Sequence, residues 1–158
     1  MRNIIAARID ERLIHGQVMT AWMRLYAPNS ILIVDAVSAA NTFLSRILFA
    51  AAPKDIELNV MNEADAEAFL KEPAPASERL MILAKTPAPF LSLIESGLSF
   101  GEIILGNMGG ASDRKRFNKN ISASEKEVED FRKIVEAGVP IYCQMVPTDS
   151  KESITNLL

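Results

Sequence analysis

Apolar positions along this chain alternate between two rhythms. Short apolar-rich runs occur at 3–9, 30–34, 56–61, 80–84, 102–105 and 141–146. The first of them, nearly continuous, suits a strand buried on both faces of a sheet. Between them lie longer stretches in which apolar residues return every three or four positions, the period of a helix packed on one side. The stretch 16–26 sets Val18, Trp22 and Leu25 on one face with Met19 and Met23 beside it, and Pro28-Asn29 breaks it. That phase reads Trp22 as a core residue and not as a platform for a sugar ring. The stretch 38–52 carries Phe43, Leu44, Ile47, Leu48 and Ala51 as its apolar stripe and ends at Pro53.

The later helices are marked by their ends. Asn62 caps a helix over 63–71 with acids in its first turn. Thr86-Pro87 opens a helix that runs to about residue 96, and Gly97 stops it. Ser124 and Glu127 form a capping box for a helix over 125–137, closed by Gly138. Residues 120–123 read as a short extra strand, Pro147-Thr148-Asp149 as a turn, and 150–157 as a short terminal helix. Pro73 and Pro75 mark a surface loop, because the same rhythm continues on both sides. Strands alternating with helices through short connections predict an α/β fold. The expectation is a single domain over 1–158, doubly wound, with a mainly parallel sheet and helices on both faces.

Composition narrows this picture without redirecting it. A chain of 158 residues, 49% apolar, is long enough for one full core. A net charge of −3 gives no general affinity for nucleic acid. The single cysteine, Cys143, excludes an intrachain disulfide, suits a reducing cytoplasm, and sits in an apolar run where core packing is its expected part. Charges at Arg2, Arg8 and Asp10 interrupt the apolar start, so no signal peptide is expected. No apolar run reaches the roughly 18 residues a membrane helix needs, so membrane association would go through a partner.

The chemistry concentrates in Arg8-Ile9-Asp10-Glu11-Arg12-Leu13-Ile14-His15-Gly16-Gln17-Val18, directly after the first strand. His15 is the only histidine. Histidine ordinarily titrates near neutrality, so its ring can act as a nucleophile without a prior deprotonation. Arg12 and Arg8 offer guanidinium groups, which grip phosphate oxygens in pairs. Gly16 and Gln17 open a helix whose backbone N–H groups and positive end favour an anion. Asp10 is placed to orient an imidazole or an arginine. These residues together suit phosphoryl transfer through an imidazole, a reaction driven mainly by positioning and charge stabilisation. The alternative is a histidine that only packs at a helix start. Two further features lie at strand ends. Asp35 follows the second strand, as a functional group at the sheet edge or as a turn cap. Gly109 and Gly110 follow the fifth strand, as a plain turn or as a backbone that approaches an anion or the His15 loop. The basic run Arg114, Lys115, Arg116 and Lys119 is solvated charge or a docking surface for an acidic partner.

The segment from Arg8 to Val18 closely resembles the R-[IV]-D-x-R-L-[IL]-H-G-Q-V motif of IIB subunits of the mannose/fructose/sorbose-type sugar phosphotransferase system. Leu105-Gly-Asn-Met-Gly-Gly110, Lys119 to Ser122 and Val146-Pro-Thr-Asp149 resemble further segments of that family in the same order. Asn107-Met-Gly-Gly departs from the expected Asn-Val-Gly-Gly-Met, and the loop 111–118 after it is more basic. The resemblance implies the same doubly wound fold and a phosphocarrier transferase, a protein-Npi-phosphohistidine–sugar phosphotransferase. On that basis His15 would take a phosphoryl group, on Nδ1, from a phosphohistidine of the IIA component. It would then pass the group to a sugar held by the membrane IIC and IID components. Arg12 and Asp10 would serve the transfer, with Arg8, Gly16, Gln17, Gly109 and Gly110 around the phosphoryl group. No metal or cofactor is required, the location would be cytoplasmic and peripheral to the membrane through partners, and a homodimer is compatible with the fold.

Two other functions fit the pattern less well. A doubly wound ligand-binding module would want GxGxxG after the first strand or GxxxxGK[ST], and neither occurs. A receiver-like signalling domain would use Asp10, Glu11 or Asp35 as its phosphorylated acid.

Overall fold

The computed structural model describes residues 2–158, with the backbone alone for Gln17 and Val18. The apolar runs form parallel strands: β1 Ile4–Asp10, β2 Ser30–Val34, β3 Glu57–Met61, β4 Leu80–Ala84, β5 Ile103–Asn107 and, eighth in sequence after the two hairpin strands below, β8 Ile141–Cys143. The hairpin strands β6 Lys115–Asn118 and β7 Ile121–Ala123 pair antiparallel as a separate small sheet. Glu102 to Ser150 is therefore richer in strand than the sequence pattern predicts, because Lys115 to Asn118 is polar and gives no apolar run. A last strand, β9 Glu152–Ser153, pairs antiparallel with β8. The main sheet has seven strands in the order β3-β2-β4-β1-β5-β8-β9.

Strand residues alternate between two cores, as a pleated sheet requires. Ile31, Ile33, Met81, Leu83 and Ile104 face one side, with Met19 and Trp22 of α1 Gln17–Tyr26 and Leu48 of α3 Thr42–Ala51. Ile9, Leu32, Val34, Ile82, Ala84, Leu105 and Ile141 face the other. Covering them there are Ala66 and Leu70 of α4 Glu63–Lys71, Phe90 and Leu93 of α5 Ala88–Glu95, and Phe131 and Ile134 of α6 Glu125–Glu136. The doubly wound, mainly parallel architecture with helices on both faces is what the sequence pattern predicts.

Several local expectations need correcting. The helix expected over 38–52 is two helices, α2 Ala36–Ala40 and α3, separated by Asn41 in an extended conformation. The Asn41 side chain accepts from the Leu44 N–H and starts the second helix, a stop that the apolar spacing does not reveal. Only Leu48 of the expected stripe is buried, and Phe43 is 70% exposed. In α1 the core ridge is Met19 and Trp22, while Leu25 points to solvent and the Val18 side chain lies outside the described residues. The sixth apolar run is a strand only to Cys143, and residues 144–149 leave the sheet. The expected terminal helix is β9 followed by a single 3-10 turn, Thr155–Leu157. Among the described residues no helix is long and apolar enough to cross a membrane.

The connections place the site. The chain leaves β1 over the α1 face toward β2, whereas it leaves β4 and β5 over the opposite face. Loops departing in opposite directions open a crevice at the carboxyl end of β1, where doubly wound sheets hold ligands.

Candidate functional site

The loop after β1 is built around one buried carboxylate. Asp10 is fully buried. Its Oδ1 accepts from the Arg12 backbone N–H and from Arg12 Nε, both at 3.0 Å, and its Oδ2 accepts from Arg12 Nη2 at 2.7 Å. Arg8 Nη2 donates to the same Oδ2 at 3.3 Å. Two guanidiniums thus share one carboxylate, and Arg12 meets it as a two-pronged fork. The bonds from Asp10 hold Arg12 firmly protonated. All of these bonds go to the arginines and none to His15, so Asp10 acts as the orienter of Arg12.

The chain then turns tightly. The Leu13 N–H donates to the Asp10 carbonyl, and the His15 N–H donates to the Arg12 carbonyl. Leu13 sits at φ 55°, a left-handed conformation that a branched apolar residue adopts only when its surroundings hold it. Here they do: Leu13 and Ile14 are buried on the α1 face with Met81, Leu83 and Ile33. Anchoring these two side chains inward leaves His15 and Gly16 exposed at the tip. Gly16 caps α1 at φ 88°, without a side-chain cap and with no acid in the first turn. By contrast α3, α4 and α6 each carry a side-chain cap, from Asn41, Asn62 and Ser124. The start of α1 is therefore open toward an anion beside His15. The backbone of Gln17 begins that helix, and its side chain lies outside the described residues.

Arg8 requires a correction. It is 1% exposed, with its guanidinium 4.5 Å from the Trp22 ring centre. Nη1 donates to the Gln144 carbonyl at 3.0 Å and Nη2 to the Met145 carbonyl at 2.8 Å, and Trp22 Nε1 donates to that same carbonyl at 2.7 Å. Burial pulls the Arg8 pKa down to about 10 while Asp10 pulls it back, so the group stays charged. A residue so enclosed holds the 144–149 loop against β1, with its Nε buried and without a partner among the described residues. Position at a strand end does not distinguish an exposed arginine from a buried one, so the sequence did not reveal that Arg8 is enclosed.

The second glycine loop does meet the His15 loop, through Glu11. The Glu11 N–H donates to the Asn107 carbonyl at 3.1 Å, and Glu11 Oε2 accepts from the Gly109 N–H at 2.9 Å. Arg114 bonds Glu11, the Gly109 carbonyl and, with both prongs at 2.8 Å, Glu127. The paired bond from Glu127 holds Arg114 charged, against the cost of burial. The Gly109 N–H therefore serves an anion that belongs to the chain itself, a correction to its expected place among the phosphoryl donors. Gly110 is exposed with open space around it. Arg114 also drops out of the free basic run, leaving Lys115, Arg116 and Lys119 on the exposed hairpin. The sequence signal for this network was the capping-box Glu127, whose second partner no local pattern reveals.

Asp35 takes the capping part of its two expected readings. It caps α2, accepting from the Ser38 N–H at 3.3 Å and from Ser38 Oγ at 2.5 Å. It also stands 3.6 Å from Lys85 Nζ at the sheet edge. Cys143 is half-buried, and burial raises its thiol pKa above the usual value.

The family model described as the PTS system sorbose subfamily IIB component matches residues 4–158. The chain belongs to this IIB family. It is 27% identical over 158 residues to the fructose-specific EIIB component of Bacillus subtilis, covering 100% of this chain and 97% of that one. It is 32% identical over 152 residues to the mannose-specific EIIAB component of Escherichia coli, covering 96% of this chain and 47% of that longer protein, about half its length. The crystal structure of the sorbose permease IIB domain from Klebsiella pneumoniae superposes with a TM-score of 0.93 at 27% identity, over 98% of this chain and 95% of that one. An N-acetylgalactosamine-specific IIB component from E. coli gives a TM-score of 0.88 at 26% identity, over 95% and 98%. As a IIB component the protein is a phosphotransferase-system protein of sugar transport. The sugars after which its relatives are named differ, so membership does not select one.

Proposed function

We propose that His15 is the phosphoryl carrier of this IIB component, taking the group from a phosphohistidine of a IIA component and giving it to a sugar held by membrane IIC and IID components. The observation that supports this most is the loop's division of labour. Leu13 and Ile14 are buried and Arg12 is locked on Asp10, yet His15 is exposed beside an uncapped helix start. Loops built only for packing do not expose the one titratable ring and leave the helix amides beside it open.

In the first step a ring nitrogen of His15, expected to be Nδ1, attacks phosphorus with its lone pair. The P–N bond to the donor imidazole breaks, and its electron pair leaves with the donor nitrogen. In the second step a sugar hydroxyl oxygen attacks the same phosphorus, the bond to His15 breaks, and the hydroxyl proton passes to a base on the acceptor side. Arg12 Nε and Nη2 are spent on Asp10, which leaves Nη1 for the phosphoryl oxygens. The Gly16–Gln17 amides supply the remaining donors.

The test is phosphoryl transfer from phosphoenolpyruvate through the general phosphotransferase proteins and a matching IIA, followed by intact mass. One acid-labile phosphoryl group on wild type and none on His15→Ala is expected. Labelling of both proteins by a base-labile acyl phosphate would overturn the proposal in favour of an aspartate acceptor. That outcome runs against Asp10, which is buried and paired with two arginines.

A further inference from the structure

Three neighbouring strands end in charged side chains on one face. In the order β2-β4-β1, Ile33 pairs with Leu83 and Ile9 pairs with Ala84. Carried two steps on along β2 and one step on along β1, the same register sets Lys85 level with Asp35 and Asp10. Leu83 and Ile33 point to the α1 face, and so, two residues on, do Lys85 and Asp35. Arg8 points to that face under Trp22, and so, two residues on, does Asp10. Leu13 and Ile14, which anchor the His15 loop, are buried in the same cluster as Met81 and Leu83 of β4. Lys85 directly follows that strand.

Lys85 is held loosely. Its Nζ lies 3.6 Å from Asp35 Oδ2, beyond hydrogen-bond length, because Ser38 already occupies that oxygen. Its side chain is 41% exposed, and among the described residues no acceptor bonds it. Arg8, Arg12 and Arg114 are all fixed by bonds to carboxylates or carbonyls. A lysine ammonium on a flexible stem can follow a charge that arrives and leaves, which a locked guanidinium cannot.

Charge counting gives this a purpose. Asp10 with Arg8 and Arg12 leaves one net positive charge under the loop. A phosphoryl group brings about two negative charges near neutral pH. We propose that Lys85 is the second phosphoryl-binding cation of the site, parked beside Asp35 at rest and turned to the group on His15 when it arrives. This rests on the reading of His15 as the carrier. Lys85 stays protonated throughout and exchanges no atoms with the substrate.

The test compares wild type, Lys85→Met and Lys85→Arg, after melting curves confirm folding. Each is phosphorylated by the donor system, and the phosphorus resonance of the phosphohistidine is titrated against pH. A cation near the group keeps its second ionisation low, so Lys85→Met should raise that midpoint by about 0.5–1 pH unit. It should also slow transfer about tenfold through kcat, and Lys85→Arg should restore most of both. Wild type labelled on His15 with an unchanged midpoint in Lys85→Met overturns the assignment and leaves the carrier reading intact. A rise in KM for the donor protein alone, with the midpoint unchanged, assigns Lys85 to docking and overturns it equally. Wild type that carries no phosphoryl group on His15 removes the carrier reading and this assignment together.

Discussion

Gly106 leaves room for Arg8. A Cβ at position 106 would overlap the Arg8 guanidinium and lie 2.9 Å from Asp10 Oδ2. The head of Arg8 cannot retreat, because the Gln144 and Met145 carbonyls and the Trp22 ring fix it. The glycine is therefore needed for the passage of a side chain, and its backbone freedom is incidental. Gly106→Ala should destabilise the protein by about 1–3 kcal/mol, the usual range for overpacking. Thermal unfolding should show this as a fall in Tm of roughly 3–10 °C. A Tm unchanged within a degree would mean that Arg8 is not held in this seat.

Trp22 reports the same seat optically. It is the only tryptophan, buried, with a guanidinium over its ring and its N–H on the Met145 carbonyl. Its emission should be blue-shifted from that of free tryptophan and shielded from iodide. Gly106→Ala should shift the emission to the red under conditions where far-ultraviolet circular dichroism is still native. Emission matching that of solvent-exposed tryptophan in the wild type would contradict the described packing.

Arg12 acts by the shape of its fork. Arg12→Lys keeps the charge but cannot present Nε and Nη2 together to Asp10. Phosphorylation of His15 should slow about 10–100-fold, the scale expected when a reacting group is misplaced by about an ångström. Stability should also fall, because Asp10 is fully buried and loses two of the donors that pair its charge. Stopped-flow or quench-flow labelling would separate a lysine that works equally well from one that does not.

Glu127 predicts an acid limb in the stability profile. Burial alone would raise its carboxyl pKa, but bonds from Arg114 and Ser124 outweigh this and hold it below the usual carboxylate range. A carboxyl whose folded pKa is depressed contributes stability above its unfolded pKa, near 4.3, and loses it as pH falls through the folded value. The stability gap between wild type and Glu127→Gln should be fully present above about pH 5 and should narrow toward pH 3. Denaturant melts at several pH values would show the two curves running parallel at all pH values if the Arg114 bond contributes nothing.

Much of the fold could be read locally because its signals are local. Six apolar runs, the Asn62 cap and the Ser124–Glu127 box are patterns within a few residues; each gives its element, although the sixth strand stops at Cys143. The two-helix break at Asn41 is also a local event, yet asparagine suits a cap and a helix surface alike, so spacing did not expose it. The candidate site divides in the same way. His15, Arg12, Gly16 and Asp10 lie within seven consecutive residues, and their mutual geometry follows from one tight turn.

The sequence by itself determined the strand–helix alternation, the parallel sheet it implies, and a histidine loop flanked by two arginines at the end of the first strand. It could do so because hydrophobic period and chain proximity are properties of neighbouring residues. Only the tertiary structure decided how the two arginines differ. Arg8 is committed to carbonyls 136 and 137 positions away, so that it holds a loop, while Arg12, two residues from Asp10, is bound to that carboxylate through Nε and Nη2. It likewise set Lys85 beside Asp35 and tied Glu11 to Arg114, since strand order and buried charge pairing bring together residues that no local pattern connects.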